Sequence, residues 1–206
     1  MMNMWGFLSF SVVLTLMPGP DILFVVMQSI RRGKKAGIVF ALGLCTGLIF
    51  HVAAVTFGVS ALVKSSPAAF ALLKTAGAAY LFYLGIKAYI RRNESALQID
   101  AGRKGEEGER RLYLRGICMN VLNPKVILFF LSFLPGFVDV NRGDPAWQIC
   151  LLGLLFIIQA GVIFSAVAIL ASRLAGLLMK NPRTALWVNA GTALIYVAIG
   201  ISVLFV

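Results

Sequence analysis

The stretch Met17-Pro18-Gly19-Pro20-Asp21 lies inside an apolar run that extends from Trp5 to Met27. A run of that length crosses a bilayer as one helix, but two prolines and a glycine interrupt its hydrogen-bond ladder near the middle. The sequence therefore predicts a helix broken at membrane depth. Irregular backbone survives there only where protein or a water-filled cavity covers it, and an ionisable group such as Asp21 raises the cost further. A broken helix carrying a carboxylate points to a transport site.

A second interruption, Asn123-Pro124-Lys125, lies about a hundred residues on, inside the apolar run 112–138. Aligning Pro20 with Pro124 sets Pro20-Asp21-Ile22-Leu23-Phe24 against Pro124-Lys125-Val126-Ile127-Leu128, so Asp21 falls opposite Lys125. Interrupted hydrophobic segments at corresponding positions of two halves are the best sequence pointer to a transporter's substrate site.

Composition agrees with a membrane setting. The 206 residues are 60% hydrophobic and 13% charged, with a mean hydropathy of +0.90, which excludes an ordinary soluble domain. The net charge of +11 does not indicate nucleic acid, because the basic residues lie between apolar spans and form no single basic face. Cys45, Cys118 and Cys150 lie in or beside apolar spans without metal-type spacing, so no disulfide framework is expected. Met1-Met2-Asn3-Met4-Trp5 lacks a positive region and is not read as a cleaved signal peptide.

The expected fold is an all-α integral membrane protein with six transmembrane helices at 5–30, 37–63, 68–90, 112–138, 147–171 and 185–205, each long enough to cross about 30 Å of hydrocarbon. Pro67 and Pro145 sit near the start of their spans, and Pro182 lies in the loop before the last. The first connection carries Arg31, Arg32, Lys34 and Lys35; the third carries Lys87, Arg91, Arg92, Arg103, Lys104, Arg110, Arg111 and Arg115; the fifth carries Arg173, Lys180 and Arg183. Only Lys64, Lys74 and Arg142 flank the second and fourth. This asymmetry predicts cytoplasmic odd-numbered connections and both termini outside.

The glycine-rich, mixed-charge segment 91–111 reads as a solvated cytoplasmic linker between a first three-helix repeat, 1–90, and a second, 112–206. Because three is odd, the second repeat enters the membrane in the opposite sense, giving an inverted pair with breaks in helices 1 and 4. Ala76-Gly77-Ala78-Ala79 in the third span and Ala190-Gly191-Thr192-Ala193 in the sixth are a weaker match in the corresponding place.

Together, Pro18-Gly19-Pro20-Asp21, Gly43-Leu44-Cys45-Thr46-Gly47-Leu48-Ile49-Phe50-His51, Ala76-Gly77-Ala78-Ala79-Tyr80-Leu81 and Asn120-Val121-Leu122-Asn123-Pro124-Lys125 resemble the lysine exporter (LysE/RhtB) family. The resemblance covers essentially the whole chain, and the proline-centred motifs are its more specific part. It implies a secondary active exporter of amino acids in the bacterial inner membrane, driven by the proton gradient and not an enzyme. Members differ in substrate, including lysine, homoserine, threonine and leucine types, and the motifs select none of them.

The residues themselves fit a small zwitterionic cargo. A helix restarting after Pro20 presents N–H groups and a positive dipole end to the breach, while the carbonyls before Pro18 together with Asp21 suit an ammonium group. Asp21 lies ten residues before Arg31 and Lys125 ten after Arg115, so both sit about 15 Å from the cytoplasmic edge on helical rise. Each charge alone costs about 2.5–3.5 kcal/mol on insertion scales, so pairing, or a cargo bridging both, would offset it. The expected substrate-binding set is Pro18, Gly19, Pro20, Asp21, Asn120, Asn123, Pro124 and Lys125. Competing readings make Asp21 a helix cap and let Lys125 snorkel to the interface.

Gly43, Gly47 and His51 recur every four residues and share one face. Such a face means close helix packing, with His51 as a packing residue or, beside Asp21, as a proton-coupling group. Tyr80, Tyr83, Gln159 and Asn189 are further polar candidates, the last two as interhelical hydrogen-bonding groups. The expected partners are an amino-acid-like small molecule, protons and the lipid bilayer; the glycine-rich spans also suit a homodimer interface, and no cofactor is expected. Two alternatives are a membrane thiol relay using Cys45 and Cys118, which lack a Cys-x-x-Cys partner, and a metal exporter, for which Asp21 with one histidine is a thin ligand set.

Overall fold

Prolines and glycines divide the apolar runs where the ladder cannot continue. A computed structural model describes residues 4–17, 19–59, 108–139, 141 and 143–174, with scattered helical positions between 68 and 90. Helix α1 (Met4–Leu16) stops before the Pro-Gly-Pro turn, and α2 (Pro20–Arg32) starts on Pro20, with Gly19 in an extended conformation as its N-cap. The two are bent by 54°. Proline is favoured at that first position because the N–H it lacks would be unpaired anyway.

The second break repeats this pattern. Helix α4 (Glu109–Val121) ends before Asn123, which caps α5 (Pro124–Leu128) by accepting from the Lys125 N–H at 3.0 Å. A π turn (Phe129–Phe133) and a 3-10 turn (Leu134–Phe137) extend α5, and this second pair is bent by 47°. Both interruptions predicted from the sequence are therefore present, each restarting on its proline. α4 begins at Glu109, inside the stretch read as linker, where Glu109 pairs with Lys35 at 2.6 Å.

Between the breaks, α3 (Lys34–Ala54) continues through a π turn (Val55–Val59), and α6 (Pro145–Arg173) closes the described part. Asp144 caps α6 through the Ala146 N–H, with Pro145 in the first position. Both helices exceed the roughly 20 residues that span a hydrocarbon core. Among the described residues every regular element is helical, and two unbroken spans plus two bent ones are long and apolar enough to cross a membrane. The third and sixth spans lie outside the described residues except for scattered helical positions in the third, as do Pro18, Pro67, Tyr80, Pro182, Asn189 and the match between 76–79 and 190–193 beyond Ala76 and Ala79.

α3 packs along α4 and α6, and α1 and α2 lie against α6. The α3–α4 seam is tight because glycines face each other there. A Cβ on Gly116 would stand 2.5 Å from the Phe40 carbonyl, and one on Gly47 would stand 2.7 Å from Asn120 Cβ. This is the small-residue face that the Gly43, Gly47 and His51 spacing predicts, and small residues are what let membrane helices approach closely. α6 is sided in the manner of a lipid-facing helix: Ile149, Leu152, Phe156 and Ala160 are buried, while Leu154, Ile158 and Val162 are exposed. An aromatic cluster of Phe7, Phe10, Phe129, Phe133 and Phe137 fills the space between α1 and the α5 extension.

The α2–α3 turn depends on one residue. Gly33 has φ 83° and ψ 169° and donates its N–H to Ser29 at 3.1 Å. That backbone region is essentially reserved for glycine, and a side chain there costs about 1–3 kcal/mol. Gly33→Ala is expected to lower the thermal unfolding midpoint in detergent; an unchanged midpoint would show that the turn relaxes without strain.

Candidate functional site

Because both helices restart on a proline, Asp21 and Lys125 occupy the same second position of α2 and α5. Each is 3% exposed. The Asp21 carboxylate accepts from the Asn123 Nδ2 of the opposite break. Lys125 Nζ in turn donates to the Met17 carbonyl at 3.2 Å, the last residue before the first break. Each break thus supplies the partner for the charge carried by the other.

This exchange corrects two readings. Asp21 is not the cap of α2, since Gly19 holds that position and the carboxylate turns to Asn123. Lys125 does not snorkel, because its ammonium turns inward to a carbonyl that the break between α1 and α2 has released from the helical ladder. The hydrogen bonds of the two charges run to Asn123 and Met17, each on the opposite break, and not from one charge to the other. In low dielectric a charge needs charge-assisted hydrogen bonds, and the breaks provide them from an amide and a free carbonyl. At the start of α2 the carboxylate also meets the favourable end of the helix dipole, whereas Lys125 opposes that of α5 and depends on Met17.

Asp21 and Lys125 line one cavity with Leu14, Thr15, Leu48, Asn120, Val126, Phe156 and Phe164. Its volume is about 10 Å³, room for roughly one water. That is too small to hold an amino acid in this conformation. Asn120, 1% exposed, connects α4 to α3: its backbone carbonyl accepts from His51 Nε2 at 3.1 Å, while its side-chain oxygen has no hydrogen-bond partner. His51 is buried, tilted against Phe130 with ring centroids 5.7 Å apart.

Of the sequence-derived set, Gly19 and Pro20 form the first break, and Asn123, Pro124 and Lys125 the second. Asp21 bridges to the second break, and Asn120 and His51 join at its edge; Pro18 lies outside the described residues. Tyr83 is half exposed. Gln159 does make the interhelical bond expected of it, donating from Nε2 to Thr15 Oγ1 at 2.9 Å. Thr15, a cavity residue, was not among the candidates. Its signal was its spacing of four from Ser11 inside an apolar helix, which puts both polar groups on one face. Cys45 is buried and Cys118 exposed, both as free thiols.

These features define a helical integral membrane protein in which two broken spans exchange buried polar contacts beside one small cavity. Residues 12–205 match the family of LysE type translocators, and the chain belongs to that family. It is 32% identical over 197 residues to the homoserine/homoserine lactone efflux protein of Salmonella typhimurium, covering 95% of this chain and 93% of that one. It is 30% identical over 205 residues to an uncharacterized membrane protein of Pseudomonas aeruginosa, covering 97% and 93% of the two chains. A further uncharacterized membrane protein, from Bacillus subtilis, is 30% identical over 166 residues, covering 78% and 79%. No solved structure matches the chain.

Proposed function

We propose that the protein is a secondary active exporter of amino acids or similar small polar metabolites across the bacterial inner membrane, energised by the proton gradient. The observation that carries this reading is the exchange between the breaks, Asn123 to Asp21 and Lys125 to Met17. Those contacts are ones a zwitterion can replace: its ammonium takes the place of Asn123 at Asp21, and its carboxylate draws Lys125 from Met17. Asp21 then engages the ammonium or a coupling proton, Lys125 binds the carboxylate, and Gly19, Pro20, Asn120, Asn123 and Pro124 shape the breach. Pro18 belongs to the same turn by sequence. His51, joined through Asn120 to the site, is the second proton-coupling candidate.

The relative's homoserine and homoserine lactone efflux supports an amino-acid-like cargo. The two opposite charges at the breaks suit an organic zwitterion, whereas Asp21 with one histidine is a thin ligand set for a metal ion. The test is efflux from cells loaded with a panel of amino acids, with and without the protein. Faster loss of at least one of them is expected, and identical retention across the panel would overturn the reading.

Six spans in two inverted three-helix repeats complete the proposal, with the linker in the cytoplasm and both termini outside. The matching breaks support the repeat, and the distribution of the nineteen basic residues supports the orientation. Reporter fusions after Arg92 and after Lys180 are expected to behave as cytoplasmic, and fusions near Lys64, Arg142 and the carboxyl terminus as external. A cytoplasmic carboxyl terminus would contradict both orientation and span count.

A further inference from the structure

Three buried side-chain atoms among the described residues have no hydrogen-bond partner: Asn120 Oδ1, Gln159 Oε1 and Ser11 Oγ. They are not scattered. Asn120 lines the cavity beside Asp21 and Lys125, as does Thr15. Thr15 Oγ1 accepts from Gln159 Nε2 at 2.9 Å and donates to the Ser11 carbonyl at 2.8 Å, so it ties the other two residues to the cavity wall. Ser11 stands one helical turn beyond Thr15 on α1, and Gln159 lies between Phe156 and Phe164, both cavity residues of α6. All four polar residues are at least nine-tenths buried.

Such a group is chemically one-sided. The atoms left without a partner are two amide oxygens, which only accept, and the Ser11 hydroxyl, which can accept or donate, so acceptors outnumber donors among them. Buried acceptors without a donor are costly, so they favour any ligand that brings one. They offer nothing to an aliphatic group.

We propose that Ser11, Thr15, Asn120 and Gln159 form a side-chain subsite that selects cargo carrying a hydrogen-bond donor, such as a hydroxyl, beyond its ammonium and carboxylate. This rests on the reading in which Asp21 and Lys125 hold those two head groups. Thr15 and Gln159 then act in specificity and not only in helix association. Opening of the cavity admits the side chain along α1, and the donor closes onto Gln159 Oε1 or Asn120 Oδ1.

Homoserine and norvaline test this directly, since a methyl group in norvaline replaces the hydroxyl of homoserine. Initial efflux rates from cells loaded with each are compared for wild type, Gln159→Leu, Ser11→Ala and Asp21→Asn at matched membrane levels. Wild type is expected to favour homoserine by at least about tenfold, the scale of one well-placed hydrogen bond. Gln159→Leu is expected to narrow that preference to about twofold, mainly through slower homoserine efflux. Ser11→Ala shifts it in the same direction and serves if the leucine variant does not insert. Equal rates in wild type, efflux of neither compound, or an unchanged preference in an inserted variant would overturn the subsite. Asp21→Asn separates the two readings. If it exports homoserine at the wild-type rate, the head-group site itself is wrong; if it exports neither compound while Gln159→Leu keeps the full preference, only the subsite is wrong.

Discussion

Asp21→Asn and Lys125→Met are each expected to reduce efflux from loaded cells by roughly a hundredfold or more without abolishing membrane insertion. Breaking a buried charged contact by removing one partner costs about 3–5 kcal/mol, and each 1.4 kcal/mol is about a factor of ten. Asparagine at 21 keeps an oxygen that accepts from Asn123 but loses the charge that an ammonium or proton requires. Methionine at 125 keeps the stem length but leaves the Met17 carbonyl without its donor. Because each contact crosses from one break to the other, the double variant is expected to be little worse than either single one, a departure from additivity typical of residues in one network. Additive losses, or wild-type efflux by either single variant, would show that the charges do not serve one site.

Replacement of Pro18, Gly19 and Pro20 together by alanine is expected to yield a well-inserted protein with efflux at background. Alanine restores the missing N–H and removes a helix-interior penalty of about 3 kcal/mol per proline. α1 and α2 can then run on as one helix, losing the 54° bend. In that ladder the Met17 carbonyl accepts from the N–H of residue 21, four positions on, and is withdrawn from Lys125. Asp21 is turned from Asn123 by the same straightening. Membrane insertion of the variant should therefore be kept while transport is lost. Normal efflux by this variant would show that the break is not the site.

The breaks were legible because an apolar run interrupted by Pro-Gly-Pro has no continuous-helix reading at membrane depth, and the alignment of Pro20 with Pro124 put Asp21 and Lys125 in register. Their partners were not legible. A backbone carbonyl such as that of Met17 carries no sequence signature, and the direction of a lysine stem depends on an element more than a hundred residues away. The sequence reading left open whether the charges pair or are bridged by a cargo, and the bent geometry instead gives each a partner on the opposite break, Asn123 and Met17. The glycine face of α3 was readable from its spacing, but its partner on α4, with Gly116 and Asn120, needed the packed structure. The π turn at Phe129–Phe133 was also hidden, since a run of phenylalanine and leucine is compatible with an ordinary helix.

The central claim, that the two breaks clasp a single substrate site, is tested most directly by isotope exchange in proteoliposomes. There a labelled amino acid identified in the efflux panel swaps across the membrane with no imposed proton gradient, so the site is probed apart from its energy source. Wild type is expected to exchange label, and Lys125→Met, reconstituted at the same density, to exchange at the rate of empty liposomes. Exchange by Lys125→Met at the wild-type rate would contradict the account.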